Sequence, residues 1–251
     1  MVTMRFLYRK HVALKLLKKI VPTPDSALEI GFSTRDILSH TTIRNKMGID
    51  LREEACQKAP FTAFHADEKD FVPPQFVGLV VVLEVLEHIT DDSAALHRWK
   101  SWLNPSGYML ISVPAKMKLW DENDVFSKHL RRYEKVELKK MLADTGFEII
   151  TFYSYGFPFY NLIKRIGNVV MNHKIKKSAE SAHNIPNPEN KESSVNPGTM
   201  SGIKYFAGKV VSNTLTFAFH DLFLGTNWGI GYMALCRLKN PSNDKTNVEK
   251  I

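Results

Sequence analysis

The sequence predicts an α/β protein built on a doubly wound, mostly parallel sheet, with a helical insertion before the last strand. Three observations carry this. Short apolar runs alternate with segments of helical period from Ser26 onward. The run from Phe76 to Leu83 is almost continuously apolar and valine-rich, as a central parallel strand buried on both faces requires. The chain has 251 residues, 44% hydrophobic and 24% charged, enough for one embellished domain and ordinary for a globular core.

The elements follow in order. Residues 1–24 form a leading segment. Within it, 5–20 place Ala13, Leu16, Leu17 and Ile20 at helical spacing between lysines, an amphipathic helix that stops before Pro22 and Pro24. The core is expected over 25–155. ALEIG (27–31) reads as a strand, 34–43 as a helix, and MGIDL (47–51) and FTAFH (61–65) as strands. Phe76–Leu83 is the fourth strand. Helix 92–103 follows, with Ala95, Leu96, Trp99 and Leu103 on one stripe, and NPSG (104–107) turns into the strand YMLISV (108–113). A polar stretch to Arg132 leads to a helix at 134–145, a stop at Gly146 and the strand FEIITFY (147–153).

Residues 156–227 read as a helical insertion or lid. Helical spacing runs over 158–170 and 203–219, around a mobile loop at 178–202 that is rich in Ser, Asn, Pro and Glu. Residues 228–239 carry the final strand, GYMALCRL (231–238), and 240–251 form a polar tail.

The net charge of +8 is uneven. Residues 1–24 hold six basic and no acidic side chains, 25–100 hold eight and thirteen, and 101–251 hold twenty and thirteen. An acidic block between basic ends argues against a nucleic-acid partner and directs the positive charge to an acceptor, a lid or a membrane surface. Peripheral membrane contact through the leading helix is therefore an expectation beside plain packing. Cys56 and Cys236 provide no disulfide framework, which fits a reducing, cytoplasmic setting. Lysines 15, 18 and 19 break every apolar run of the N-terminus, so a soluble chain is expected.

Glu29-Ile30-Gly31 ends the first strand ahead of an expected helix, where a ligand meets free backbone N–H groups. Asp50 closes the second strand, and a carboxylate there accepts from both hydroxyls of a ribose. These two features admit a nicotinamide, flavin or adenosyl cofactor.

Further segments narrow the choice. Ala66-Asp67 after the third strand, LEVLEHI (83–89) after the fourth, and LNPSGYMLISVP (103–114) stand in an order that resembles the class I S-adenosylmethionine methyltransferases. The resemblance spans roughly 25–153, and HLRRYEKVELKKMLADTGFEII (129–150) is similar to the small-molecule branch. It implies a Rossmann-like sheet, S-adenosylmethionine as cofactor and methyl transfer to a small acceptor, and the two amphipathic segments of the 156–227 insertion, suited to a lid or a lipid-touching surface, point to a hydrophobic or lipid-like one. It also implies that Glu29, Gly31 and Ser33 border the methionine part, that Asp50 with Leu51 holds the ribose, that Asp67 meets the adenine amino group, and that Leu83 and Glu84 border the sulfonium. His88, near neutral in its ordinary pKa, is the candidate general base. His129, Arg132 and Tyr133 are the candidate acceptor-binding residues.

One departure stands out. The family's E-x-G-x-G-x-G turn here reads Glu29, Gly31, Ser33, Arg35, and a large side chain replaces the last glycine. Arg35 either meets the cofactor carboxylate or marks a catalytically silent relative that kept the scaffold as an interaction module. Glu84, Glu87 and His88 form E-x-x-E-H, which resembles a cation-associated sequence of ubiquinone-pathway O-methyltransferases. Strand-end and helix-start chemistry is the preferred reading, and no metal is assigned. Cys56, His65 and His97 receive no catalytic role. A nucleic-acid methyltransferase ranks last, since no Asn/Asp-Pro-Pro-Tyr motif occurs.

Overall fold

The computed structural model describes residues 4–33, 35–159 and 214–239. In chain order these form α1 (Met4–Leu17), β1 (Ser26–Ile30), β2 (Asn45–Asp50), α2 (Glu53–Gln57), β3 (Thr62–His65), β4 (Val77–Leu83), α3 (Asp92–Ser101), β5 (Leu103–Pro114), α4 (Glu122–Phe126), α5 (Lys135–Asp144), β6 (Phe147–Tyr155), α6 (Thr214–Asp221) and β7 (Gly231–Leu238). Three 3-10 turns, Leu38–His40, Leu86–His88 and Met117–Leu119, lie in the connections.

The strands make one seven-stranded sheet in the order β3-β2-β1-β4-β5-β7-β6. Pairings from β3 to β5 are parallel, whereas β7 runs antiparallel between β5 and β6. The expected doubly wound, mostly parallel sheet is therefore observed. Its strand order reverses between β1 and β4, the switch point at which open α/β sheets bind ligands.

Each central strand is buried on both faces, which its apolar composition made possible. Val80 and Val82 of β4 point into one layer with Trp99 of α3 and Leu138 and Leu142 of α5. Leu79, Val81 and Leu83 point into the other, where Tyr8, Val12, Ala13 and Leu16 of α1 meet Leu110, Met233 and Leu235. Trp99 is fully buried, and its Nε1 donates to Glu68 at 2.9 Å, so its polar atom is satisfied.

The leading helix is a structural layer of this fold. It covers a face on which the expected helix at 34–43 shrinks to the single turn Leu38–His40. The reason is local. The Ile37 and Leu38 N–H groups donate to the buried Glu29 carboxylate at 2.9–3.0 Å, which fixes where the turn starts. Thr41 then closes it by donating from Oγ1 to the Leu38 carbonyl at 2.7 Å, and its β-branched neighbours favour extended backbone.

Other expectations need smaller corrections. NPSG (104–107) lies inside β5, where Val77 pairs with Leu103 but Leu79 pairs with Tyr108, so these four residues bulge out of the ladder. The short helices α2 and α4 fall in stretches read as irregular. Of the 156–227 segment, the structure describes 156–159 and 214–227, including α6. The expected helix at 158–170 beyond Phe159, the loop at 178–202, the 203–213 half of the second helix and the 240–251 tail lie outside the described residues.

Helix α6 is tied to α1. Asp221 accepts from Lys15 at 2.5 Å and lies 2.9 Å from His11 Nε2. His220, buried, stacks on Tyr8 at 4.5 Å, and its Nε2 accepts the Gly156 N–H at 3.0 Å.

Two predictions concern this packing. Trp99→Ala is expected to cost about 3–5 kcal/mol of stability, the range for deleting a fully buried aromatic, measured by urea unfolding. The second concerns pH. Burial holds His220 down to about 4, prevailing over the raising effect of Asp221 and reinforced by His11 and Lys15. The fold thus holds the neutral imidazole. Its contribution is complete above the ordinary histidine value of about 6.5 and is lost as pH falls towards about 4. The melting temperature of His220→Gln is expected to drop less than that of the parent between pH 7 and pH 4.5. Equal drops would exclude this role for His220.

Candidate active site

The switch point between β1 and β4 gathers most of the residues singled out in the sequence. Leaving β1, the chain turns through Gly31 at φ +65°, and a Cβ there would stand 2.6 Å from Val85 Cγ2. Glycine is required by both backbone and space. Ser33 also adopts positive φ, +57°, and donates its N–H to Asp50 Oδ2 at 2.6 Å. The turn is thereby pinned to the end of β2.

Asp50, almost fully buried, also accepts the Arg52 N–H at 2.9 Å and Arg52 Nε at 3.1 Å, both on Oδ1. Leu51 beside it is 68% exposed and belongs to the rim. Asp67 lies beyond β3, partly exposed and 3.3 Å from Lys69 Nζ. Glu29 is buried beneath the turn. Burial raises its carboxyl to about 8, against the lowering effect of the Leu38 and Ile37 N–H groups.

A cleft of about 100 Å³ opens here, lined by Arg9, Glu29, Gly31, Phe32, Ser33, Arg35 and Leu83. Four of the predicted positions thus share one cavity. Arg9 was not foreseen. It comes from α1, and the signal available was the placement of Arg5 and Arg9 one helical turn apart in a segment without acids.

Glu84 follows β4 at φ +60°. Tyr155 OH donates to it at 2.8 Å and Ser112 Oγ at 3.1 Å, Arg5 pairs with it directly, and Arg9 Nη1 lies 3.8 Å away. Burial alone would raise this carboxyl, but Arg5, Arg9 and the two hydroxyls together hold it at about 2. It is a fixed negative charge beside the cleft.

The remaining predicted residues lie elsewhere. His88 is exposed at the end of the turn Leu86–His88, and its ring centroid is 4.9 Å from that of His129. Burial of its ring and the neighbouring His129 lower its pKa. Arg132 is buried and directs Nε and Nη2 at Asp124 at 2.8–3.0 Å and Nη1 at the Ala115 carbonyl at 3.2 Å. Tyr133, fully buried, donates to Asp92 at 2.9 Å. His129 Nδ1 lies 2.7 Å from Asp124 Oδ1. These side chains clamp the loop between β5 and α5, with Arg132 and Tyr133 packed inward and none of the three lining the cleft. Asp124, their shared anchor, was missed because it sits in an unpatterned polar stretch.

At the end of β6, a set of aromatic rings stands close by. Phe157 packs edge-on against Phe223 and Trp228 at 5.1 and 5.2 Å, and Phe159 meets Phe219 at 5.7 Å. Leu215, Leu222 and Trp228 remain more than half exposed.

Comparison with known proteins bears on the fold. No curated protein matches the sequence. Among solved structures, a SAM-dependent methyltransferase from Thermotoga maritima, described as a possible histamine N-methyltransferase, is 14% identical. The match covers 93% of this chain and 91% of that one, with a TM-score of 0.54. A SAM-dependent methyltransferase from Archaeoglobus fulgidus is 14% identical over 91% of each chain, with a TM-score of 0.53. The plantazolicin methyltransferase BpumL, solved with a triazolic desmethylPZN analogue and SAH, is 10% identical over 94% of this chain and 84% of its own, with a TM-score of 0.53. At these identities the likeness is one of fold. A family model described as a methyltransferase domain matches residues 6–151, which include most of α1, the switch point and most of the sheet. The chain belongs to that family of methyltransferase domains.

Proposed function

We propose that the protein transfers a methyl group from S-adenosylmethionine to a small, hydrophobic or lipid-like acceptor. The observation that carries this is the convergence of Glu29, Gly31, Ser33 and Leu83 on one cleft at the β1/β4 switch point, with Asp50 joined to it through the Ser33 N–H. A fold relative, BpumL, was solved with SAH, which supports the choice of cofactor.

S-adenosylmethionine, when bound, supplies a methyl group already activated by its positive sulfur. The residues of this chain then have to bind, orient and exclude water. Asp50 would accept from the ribose hydroxyls and Asp67 from the adenine amino group. Glu29, Gly31 and Ser33 would border the methionine part, where Arg9 and Arg35 bring positive charge for its carboxylate. Leu83 and Glu84 would border the reacting end. Small-molecule sites usually enclose about 300–1,000 Å³. The cleft is smaller than that, and a second cavity of about 240 Å³, lined by Asp36, Ala55, Lys58, Ala59 and Pro60, shares Phe32 and Ser33 with it.

The acceptor reading rests on the aromatic cluster at the end of β6. Because β6 runs parallel to β4 and β5, this cluster lies at the same carboxyl end of the sheet as Glu84, and Tyr155 of β6 touches Glu84 directly. Exposed Leu215, Leu222 and Trp228 suit an apolar acceptor or the surface of a membrane. No described helix is long and apolar enough to cross one. A cytoplasmic setting is part of the same proposal, with Cys56 and Cys236 both free.

A second reading has one observation in its favour. Both oxygens of Asp50 are engaged, by Ser33 N–H and by Arg52, and these partners compete with ribose hydroxyls. A silent relative would keep those bonds.

Isothermal titration separates the two. S-adenosylhomocysteine is expected to bind the full chain, and no heat at millimolar ligand would establish the silent reading. Asp50→Ala, with folding checked by circular dichroism, is expected to weaken binding about 10–100-fold, the equivalent of one hydrogen bond to a charged group. The acceptor is addressed with radiolabelled S-adenosylmethionine in a cell extract. Methyl label is expected in the organic-soluble fraction, and label confined to the aqueous fraction would refute an apolar acceptor.

A further inference from the structure

Outside the cleft, Glu87, His88 and His129 each bring one ligand-capable atom within 4.8 Å of the others. Glu87 is the anomaly that makes this cluster informative. It is fully buried, and neither carboxylate oxygen has a hydrogen-bond partner among the described residues. Its nearest ion-pairing neighbour, His129 Nε2, stands 3.7 Å from Oε1, beyond hydrogen-bond length. A buried carboxyl without partners either keeps its proton, as burial and the neighbouring Glu84 favour here, or is compensated by a cation.

The two imidazoles are already set up for such a role. Nδ1 of His129 lies 2.7 Å from Asp124 Oδ1, and Nδ1 of His88 lies 3.3 Å from the Lys128 carbonyl oxygen. An oxygen acceptor at Nδ1 places the proton there and leaves the lone pair on Nε2. A carboxylate or carbonyl behind the ring is how metal-binding histidines are commonly oriented. Asp124 is itself locked by the two-pronged contact from Arg132, so the support extends one shell further into the protein. This gives the buried Arg132–Asp124 pair a purpose that loop packing alone does not require.

We propose that Glu87, His88 and His129 form a binding site for a divalent transition-metal cation of the zinc class, oriented by Asp124 and the Lys128 carbonyl. Two imidazoles with one carboxylate select zinc, cobalt or iron over magnesium and calcium, which prefer oxygen ligands. The ligand set is not the E-x-x-E-H spacing of the sequence. Glu84 is committed to Arg5, Ser112 and Tyr155, and His129, brought in by the loop after β5, takes its place. Exposed His88 provides the route by which a cation enters.

The test uses the full chain, stripped with EDTA and dialysed, and needs no S-adenosylmethionine, so its outcome is independent of cofactor binding. Zn2+ is titrated by calorimetry and Co2+ by visible absorption. One equivalent of each is expected to bind, with Co2+ bands of a nitrogen- and oxygen-ligated site, and Mg2+ is expected not to compete. Asp124→Asn is expected to weaken Zn2+ binding about 10–100-fold, as loss of a supporting partner does. Glu87→Gln, His129→Ala and His88→Ala are expected to weaken it at least as much, and His97→Ala, an exposed histidine on α3, is expected to leave it unchanged. Circular dichroism reports whether the buried variants fold. If they do not, His88→Ala decides, because its side chain is exposed. Absence of stoichiometric Zn2+ binding, or binding that survives His88→Ala unchanged, would overturn the site.

Discussion

The fold turns on one carboxylate. Glu84 sits where β4 ends, in a backbone conformation that side chains other than glycine seldom adopt, and it is largely withdrawn from water. Left alone it would be costly. It is held instead by Arg5 from α1, Ser112 from β5 and Tyr155 from β6, three elements that are remote in sequence. Removing one partner of such a buried, paired charge is far more disruptive than the modest worth of a surface ion pair. This cluster fixes the register of the leading helix against the sheet and places a permanent negative charge at the switch point. The basic N-terminus and the acidic core, which looked like separate features of composition, meet in it.

Much of the sheet was legible because its signals are local. β1, β4 and β7 are apolar runs bounded by turn residues, and β7 falls on the predicted bounds. The failures have local causes too. Residues 34–43 read as a helix, yet the Glu29 carboxylate captures the Ile37 and Leu38 N–H groups at the turn and Thr41 ends it. Helices α2 and α4 are five residues long, too short for a 3.6-residue period to show. NPSG is turn chemistry used inside a strand, where a parallel neighbour continues past the bulge.

The candidate site was legible only in part, for a related reason. Gly31 and Asp50 act through backbone geometry at strand ends, which a sequence displays directly. Arg9 and Tyr155 reach the site from α1 and β6, and no spacing rule connects them to Glu84. At 129–133 the residue types were informative but the direction of the side chains was not. Asp124 and Asp92 turn Arg132 and Tyr133 inward, and those partners lie eight and forty-one positions away. Side chains that can bind a charged ligand can equally bind a buried aspartate, and only packing decides between them.

The pairing of Tyr155 with Gly231 has an architectural consequence. The chain leaves the sheet and returns to it at hydrogen-bonded neighbours, so whatever lies between closes a loop whose ends are already together. Loop-closure entropy grows only with the logarithm of length, roughly 0.6 kcal/mol for each doubling. Lengthening or shortening that segment therefore costs the sheet little chain entropy, and the part of it that the fold does hold is α6, through Asp221 and His220. Beyond α6, the segment between Tyr155 and Gly231 is a cassette hung on two paired strand ends, open to grafting without reopening the sheet.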